Sequence, residues 1–158
     1  MTKLKIALLF AVLATPALAS GTHGDGHEAM AIGEPGDKAK VTQTIQVTMK
    51  ETPDGKMIFT PGKFEFKKGK TVRFAVKNAG ELDHEFILDE HEANLKHKAA
   101  MEKAPEMEHD NPNAISLAPG ESGEIIWKFT NDGMFEFACL KPGHYEAGMR
   151  GDLKVSAK

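Results

Sequence analysis

The sequence predicts an all-β domain, built as a sandwich or a barrel, with one short helix inserted between strands. Apolar and polar residues alternate over many short segments, which is typical of strands that bury one face. Turn sequences such as Pro53-Asp54-Gly55 and Asn131-Asp132-Gly133 separate these segments. The predicted strands centre on residues 45–49, 57–59, 64–66, 72–76, 84–88, 125–129, 135–139 and 153–155.

One segment departs from this alternation. Residues 90–103 are rich in Ala, Lys and Glu, place Glu92 and Lys96 four residues apart, and end shortly before Pro105. Such a composition and spacing predict a helix, inserted before the fifth or sixth strand.

Length and composition indicate one ordinary globular domain. The chain has 158 residues, of which 41% are hydrophobic and 27% charged, enough for one core and little more. The formal net charge is −3, with both signs interspersed. Because nucleic-acid binding needs a basic stripe, a role in binding nucleic acid is excluded.

Residues 1–19 have the pattern of a secretory signal peptide. Lys3 and Lys5 precede an apolar stretch over residues 6–14, which is too short to span a bilayer. Residues 17–19 form a small-x-small cleavage site, so we expect cleavage after Ala19 and export to the periplasm. A membrane anchor is the alternative, but polar residues follow directly, and we expect no membrane attachment after cleavage.

Export makes the single cysteine, Cys139, informative. Exported proteins usually pair their cysteines, and Cys139 has no partner in the chain. A lone thiol in an oxidising compartment is either buried and inert or has a chemical role. The residues around Cys139 favour the second interpretation.

Cys139, His144 and Met149 are spaced as C-x4-H-x4-M, directly after an aromatic strand. Pro142, Gly143 and Gly148 allow this segment to turn back, so that thiolate, imidazole and thioether converge. His84 shares its strand parity with Phe86 and Leu88, which places a second imidazole toward the core.

This donor set predicts a type 1 copper centre held by His84, Cys139, His144 and Met149. A thiolate and two imidazoles hold Cu(II) and Cu(I) in a nearly trigonal plane, with Met as a long axial ligand. Phe86, Phe135, Phe137 and Met134 are expected to exclude water and so tune the potential. Zinc fits the same ligands less distinctively, because it prefers four strong ligands or three plus water.

From about Ile45 to Val155 the chain resembles the cupredoxin family of plastocyanin, azurin and pseudoazurin. The resemblance lies in residues 77–80 leading to His84, and in residues 135–139 leading to His144 and Met149. It implies an eight-stranded Greek-key β-sandwich with copper at one end. It also implies that both histidines and Cys139 are equatorial ligands and that Met149 is axial.

The resemblance further implies that a partly exposed His144 is the electron port, ringed by Pro142, Gly143 and Ala147. Many cupredoxins have Asn or Ser after the first histidine ligand, where its side chain braces the cysteine loop. Here Glu85 takes that position, so we expect its backbone N–H to reach the sulfur without that side-chain brace.

Residues 20–40 are predicted to be a flexible segment, and residues 41–158 the cupredoxin domain. His23, His27 and Met30 in the flexible segment form a possible second copper site. An adventitious metal-binding tract is the alternative. Further soft or borderline ligands lie in and after the predicted helix, where incidental residues on a solvated helix are the favoured interpretation: His91, His97, Met101, Met107 and His109.

Within the family, the chain most resembles periplasmic cupredoxins linked to bacterial copper tolerance. We therefore predict a monomeric periplasmic copper protein that contributes to copper tolerance by redox handling or buffering. A dedicated electron carrier, docking a redox partner near His144, is the alternative. An enzyme is not expected, because a type 1 centre leaves no open position for substrate.

Overall fold

The computed structural model describes residues 30–104 and 111–157, which form a two-layered β-sandwich with one α-helix. The predicted all-β class is therefore confirmed. The helix α1 spans His91–Met101, and a 3-10 turn spans Lys38–Lys40. The strands are β1 (Glu34–Pro35), β2 (Gln43–Glu51), β3 (Met57–Thr60), β4 (Lys63–Lys67), β5 (Thr71–Asn78), β6 (His84–Asp89), β7 (Ala114–Leu117), β8 (Ser122–Lys128), β9 (Gly133–Ala138) and β10 (Arg150–Ser156).

The strands form two five-stranded sheets. The order is β1-β8-β5-β2-β3 in the first sheet and β4-β10-β9-β6-β7 in the second. Strand pairs β2/β5 and β4/β10 are parallel, and the other pairs are antiparallel. Because successive strands often lie in different sheets, the chain crosses repeatedly between the layers, which is typical of Greek-key sandwiches.

Alternating side chains from both sheets form the core between the layers. Phe64 of β4 and Phe137 of β9 have ring centroids 4.3 Å apart, and Phe74 and Phe86 meet across the sandwich at 5.5 Å. Trp127 and Phe129 are wholly buried in the same cluster. These large rings each remove a substantial apolar area from water, which is the main stabilising contribution of such a core.

Residues 30–40 belong to the fold, which corrects the predicted boundary at residue 41. Glu34–Pro35 pairs with β8, and Ile32 is completely buried in the core. Asp37 caps the 3-10 turn by accepting the N–H of Ala39 at 2.9 Å. The polar composition of this segment concealed its order, because a two-residue strand and one apolar anchor give no periodic pattern. The predicted signal peptide and residues 20–29 lie outside the described residues.

The helix lies where the composition predicted it, although it precedes the seventh strand because β1 adds one strand to the count. It runs against β9, and it buries Asn94 and Met101. A smaller apolar cluster on this outer face of the second sheet contains Ile87, Ala138, Leu140 and Tyr145. In the described part of the chain, no helix combines the length and apolarity needed to cross a bilayer.

Candidate metal centre

His84 begins β6 and lies at one end of the sandwich with no exposed surface. The buried side chain of Asn78, at the end of β5, organises the loop that leads to it. Its amide donates to the carbonyls of Leu82 at 2.7 Å and Leu117 at 2.9 Å, and its oxygen accepts the N–H of Gly80 at 2.9 Å. These bonds fix the direction from which the chain enters β6, and with it the position of His84.

The segment from Cys139 to Met149 folds back on itself at the same end. Cys139 donates its N–H to the carbonyl of Met149, and Met149 donates to the carbonyl of His144, both at 3.0 Å. Gly143 and Gly148 have φ angles of +84° and +98°, which other residues rarely adopt. The loop thus closes on the strand end, with the side chains of Cys139 and Met149 wholly buried in the main core cluster.

Three of the predicted ligand side chains meet at this point. His84 Nδ1 lies 3.2 Å from His144 Nδ1, and Cys139 Sγ lies 3.4 Å from His144 Nδ1. His84, Cys139 and His144 each offer one ligand atom, and these three atoms all lie within 4.8 Å of one another. Within the described ranges, no other group of three or more His, Cys, Asp or Glu side chains meets this criterion. Donors bound at about 2.0–2.3 Å to one metal ion are separated by only slightly more than these distances. The arrangement therefore fits one metal ion, and its soft sulfur and two nitrogens suit copper.

The sulfur of Cys139 is buried but not isolated. The N–H of Glu85 donates to Sγ at 3.3 Å, as the sequence predicted. Burial raises the pKa of Cys139 to about 12, although the Glu85 N–H opposes this effect. Without metal the thiol therefore keeps its proton at neutral pH, and a metal ion has to displace it.

The carboxylate of Glu85 supplies the side-chain brace that the sequence did not lead us to expect. Glu85 is nearly completely buried, and its Oε2 accepts the N–H of Leu140 at 3.3 Å. Leu140 directly follows Cys139, so Glu85 holds the sulfur through its own backbone and holds the next residue through its side chain. A carboxylate thus takes the bracing position that Asn or Ser occupies in many cupredoxins.

The surroundings of the two histidines favour the neutral imidazole. Burial lowers the pKa of His84, and burial together with the nearby His84 lowers the pKa of His144. Neutral imidazoles are the form that binds metal. His84 is fully buried, whereas His144 is half-buried and lines a shallow surface depression together with Leu82, Lys141 and Pro142.

Sequence reasoning missed Glu51, which contacts His84 from β2. Glu51 Oε1 lies 2.9 Å from His84 Nε2, and the carboxylate also accepts the N–H groups of Glu81 at 2.9 Å and Leu82 at 3.1 Å. Burial raises the pKa of Glu51, but the backbone hydrogen bonds and His84 outweigh this effect and hold the pKa below its usual value. The clue was its parity, because Glu51 follows Val47 and Met49 on the core-facing side of β2.

A polar network joins α1 to the loop that carries His144. The hydroxyl of Tyr145 donates to Glu136 Oε2 at 3.0 Å, and Asn94 donates to Glu136 Oε1 at 3.0 Å. His91 Nδ1 lies 3.1 Å from the same carboxylate. His91 is thus a member of this network, and Met101 is buried, in keeping with a structural rather than a metal-binding role for this part of the helix. Met107 and His109 lie outside the described residues.

Met30, predicted as part of a second copper site, lies at the opposite end of the sandwich. It forms a bridge with Gly33 and packs against the core, and Asn131 donates to the carbonyl of Ala31 at 2.9 Å. The length of β9, about 20 Å at the usual rise per residue, separates this end from Cys139. Met30 therefore does not contribute to the centre formed by His84, Cys139 and His144, and His23 and His27 lie outside the described residues.

Met134 was predicted to shield the metal, and this prediction is wrong. Met134 alternates with Phe135 and Phe137 along β9, so its side chain points outward and is 63% exposed. Phe86, Phe135 and Phe137 are buried as predicted.

Comparisons with known proteins agree with a copper-binding site. Residues 33–156 match the sequence profile described as copper binding proteins of the plastocyanin/azurin family. The chain is 42% identical over 157 residues to the copper-resistant cuproprotein CopI of Rubrivivax gelatinosus, covering 95% of this chain and 92% of that protein. It is 34% identical to the protein of the same name from Pseudomonas aeruginosa, covering 95% and 93%.

Among solved structures, a reduced auracyanin from Roseiflexus castenholzii superposes with a TM-score of 0.61 at 24% identity. The match covers 73% of this chain and 98% of the auracyanin, and at this identity it establishes the fold alone. The profile match extends over most of the chain, and it includes the three side chains that converge, those of His84, Cys139 and His144. The chain therefore belongs to the plastocyanin/azurin family of copper-binding proteins.

Proposed function

We propose that the protein is a periplasmic copper-binding cupredoxin that contributes to copper tolerance. This proposal rests on the sequence similarity of the chain to two proteins named copper-resistant cuproprotein, at 42% and 34% identity. Each alignment covers more than nine tenths of this chain and of the relative. A signal-peptide pattern at residues 1–19 supports export. The periplasm is where excess copper first meets the cell, so a copper protein located there acts before copper enters the cytoplasm.

In this proposal His84, Cys139 and His144 are the equatorial ligands of one copper ion, and Met149 is the axial ligand. The convergence of the first three side chains and the burial of Met149 in the same loop support this assignment. When bound, copper supplies a one-electron couple with little change in geometry. The chain's own residues hold the ligands in place, keep water from three of them and leave His144 half-exposed.

The proposed activity is redox handling or buffering of copper, without catalysis of a further reaction. Four protein ligands leave no open position for a substrate. A site that binds copper tightly withdraws it from other periplasmic thiols and imidazoles, in proportion to the amount of protein present.

A role as electron carrier is the second candidate, favoured by the surroundings of His144. The depression beside His144 is lined by the exposed Leu82 and Pro142 and by charged groups of both signs on Glu81, Asp83 and Lys141. An apolar contact ringed by charges suits a transient protein partner. In that role the chain binds one copper and exchanges one electron with a partner docked at this surface.

Growth and metal content distinguish the two candidates. We expect a strain lacking the protein to grow poorly in copper, and we expect the wild-type gene but not Cys139→Ser to restore growth. The copper stoichiometry of the exported wild-type protein is compared with that of His23→Ala/His27→Ala, which leaves every residue described by the structure unchanged. Normal growth of the deletion strain in copper, with one copper per chain in both proteins, would favour the electron carrier.

A further inference from the structure

The carboxylate of Glu51 touches the imidazole of His84 on the side opposite the cluster of ligand atoms. Nε2 of His84 lies 2.9 Å from Glu51 Oε1, whereas Nδ1 lies 3.2 Å from Nδ1 of His144. One ring nitrogen thus meets a carboxylate, and the other faces the site proposed for copper. Glu51 comes from the first sheet and His84 from the second, so this contact also joins the two layers at the metal end.

This contact selects the tautomer of His84. An ionised carboxylate only accepts hydrogen bonds. Nε2 of His84 therefore carries the ring proton and donates a hydrogen bond to Glu51. Nδ1 then has a free lone pair directed toward Cys139 and His144. A hydrogen bond from the second nitrogen to a carboxylate is one of the common ways in which proteins orient a metal-binding imidazole and strengthen its basicity.

Glu51 is itself held from the side of the loop. Besides His84, its two oxygens accept the N–H groups of Glu81 and Leu82. Gly80 leaves room for it, since a Cβ at that position would overlap Oε2 and come within 2.8 Å of Oε1. The carboxylate therefore sits in a built cradle and does not need to reorganise when the charge on His84 or on a metal changes.

We propose that Glu51 is a positioning residue of the copper centre, which fixes the Nδ1 of His84 toward copper and stabilises Cu(II) relative to Cu(I) by its negative charge. This inference rests on the proposed copper site. A fixed anion on the far side of one ligand, at a partly buried position, interacts more favourably with the higher metal charge. Removing that charge is expected to raise the reduction potential.

The first test compares the reduction potentials of the copper-loaded wild type, Glu51→Gln and Glu81→Gln. Glutamine keeps the shape of Glu51 and one acceptor oxygen but removes the charge. We expect the ratio of Cu(I) to Cu(II) at a fixed poise to rise at least about tenfold in Glu51→Gln, an upward shift of about 59 mV for one electron. Glu81→Gln is the matched control, because it removes the charge of a solvent-exposed side chain in the loop that Glu51 contacts, and a much smaller shift is expected.

Gly80→Ala provides a second variant in which the charge stays but the position changes. The φ angle of Gly80 is not positive, so alanine fits the backbone, and the overlap falls on the flexible end of the Glu51 side chain. We expect a folded protein with normal copper content and a potential shifted in the same direction as in Glu51→Gln, by a smaller amount. If Glu51→Gln does not fold, this variant still tests the proposal.

Unchanged reduction potentials in both Glu51→Gln and Gly80→Ala would overturn the inference, even if either variant lost stability. Glu51 would then only stabilise the loop that contains Glu81 and Leu82. An equal shift in Glu81→Gln would overturn it too, since the contact with His84 would then be irrelevant. If instead the wild-type protein failed to take up copper, the proposed function would fail, and the two failures are thus distinguishable.

Discussion

The two histidines of the proposed copper centre lie in contrasting surroundings. His84 belongs to the sheet framework, where it is fully buried, begins a strand and contacts a carboxylate through its second nitrogen. His144 belongs to a loop, is half-buried, and has ring contacts with the other ligand side chains, His84 and Cys139. One half of the site is therefore fixed by the sheet framework. The other half depends on a loop held by backbone hydrogen bonds within residues 139–149 and by the N–H of Met57, which donates to the carbonyl of Ala147 at 3.1 Å.

Cys139 belongs with the fixed half, because it directly follows β9 and its sulfur accepts the N–H of Glu85. Met149 is buried like the framework residues, yet it depends on the loop for its position. From this contrast between strand and loop ligands we infer that the sheet framework sets the position of the metal site. The loop sets how much of the site is exposed at the surface.

The largest effect is expected from the sulfur of Cys139, which belongs to the fixed half and also contacts His144 of the loop. Cys139→Ser replaces the soft thiolate with a poorly ionised hydroxyl, so the intense visible absorption of the Cu(II) protein should be lost completely. The measurement is the visible spectrum after loading with Cu(II). An unchanged absorption band would show that the sulfur is not a ligand and that neither half of the site works as described.

Glycine substitutions test the contrast between the histidines directly. His144→Gly opens a cavity at the surface depression, so added imidazole should enter and restore most of the visible band. His84→Gly leaves a cavity closed from solvent, so the same imidazole should restore little. Titration of both copper-loaded variants with imidazole, followed by absorption, makes the comparison. Equal recovery in the two variants would remove the distinction between framework and loop ligands.

The pH dependence of copper binding should report the buried half of the site. Burial raises the pKa of Cys139 to about 12 and lowers those of His84 and His144, so at neutral pH the thiol alone has a proton to lose. Apparent copper affinity should therefore rise about tenfold per pH unit between about pH 7 and pH 9. Competition with a chelator of known pH dependence measures the slope. A flat profile would indicate a thiolate already formed without metal.

The smallest effect concerns the Glu85 brace. Glu85→Ala leaves the buried N–H of Leu140 without its acceptor, which should lower the free energy of unfolding by about 1–3 kcal/mol. Glu85→Gln keeps an acceptor oxygen and should lose less. Urea unfolding of the metal-free proteins measures both, and the backbone bond from residue 85 to Sγ remains in each. If the alanine variant were as stable as wild type, the brace would contribute nothing to the fixed half.

Much of the fold was predictable because strand alternation depends on which face is buried. The segments around Val47, Phe74, Phe86, Trp127 and Phe137 all form strands where apolar parity predicted them. Strands β1 and β7 were not predicted. β1 has only two residues, and β7 has the sequence Ala-Ile-Ser-Leu, in which apolar and polar residues do not alternate. The prediction placed Met134 toward the core because the side chain is hydrophobic. In the strand, Met134 lies on the face opposite Phe135 and Phe137, so its side chain points outward.

The sequence by itself determined the type of fold and the chemistry of the site, because parity and the C-x4-H-x4-M spacing are local properties of the chain. Tertiary structure alone decided the partners of those ligands. Glu51 is 33 positions from His84, and their contact exists only after the two sheets pack. Glu85 is 54 positions from Cys139, and their contact exists only after β6 pairs with β9 in the second sheet. The same packing placed Met30 at the far end of the sandwich. Local patterns specify which groups face the core, but only the register and stacking of the sheets specify which of them meet.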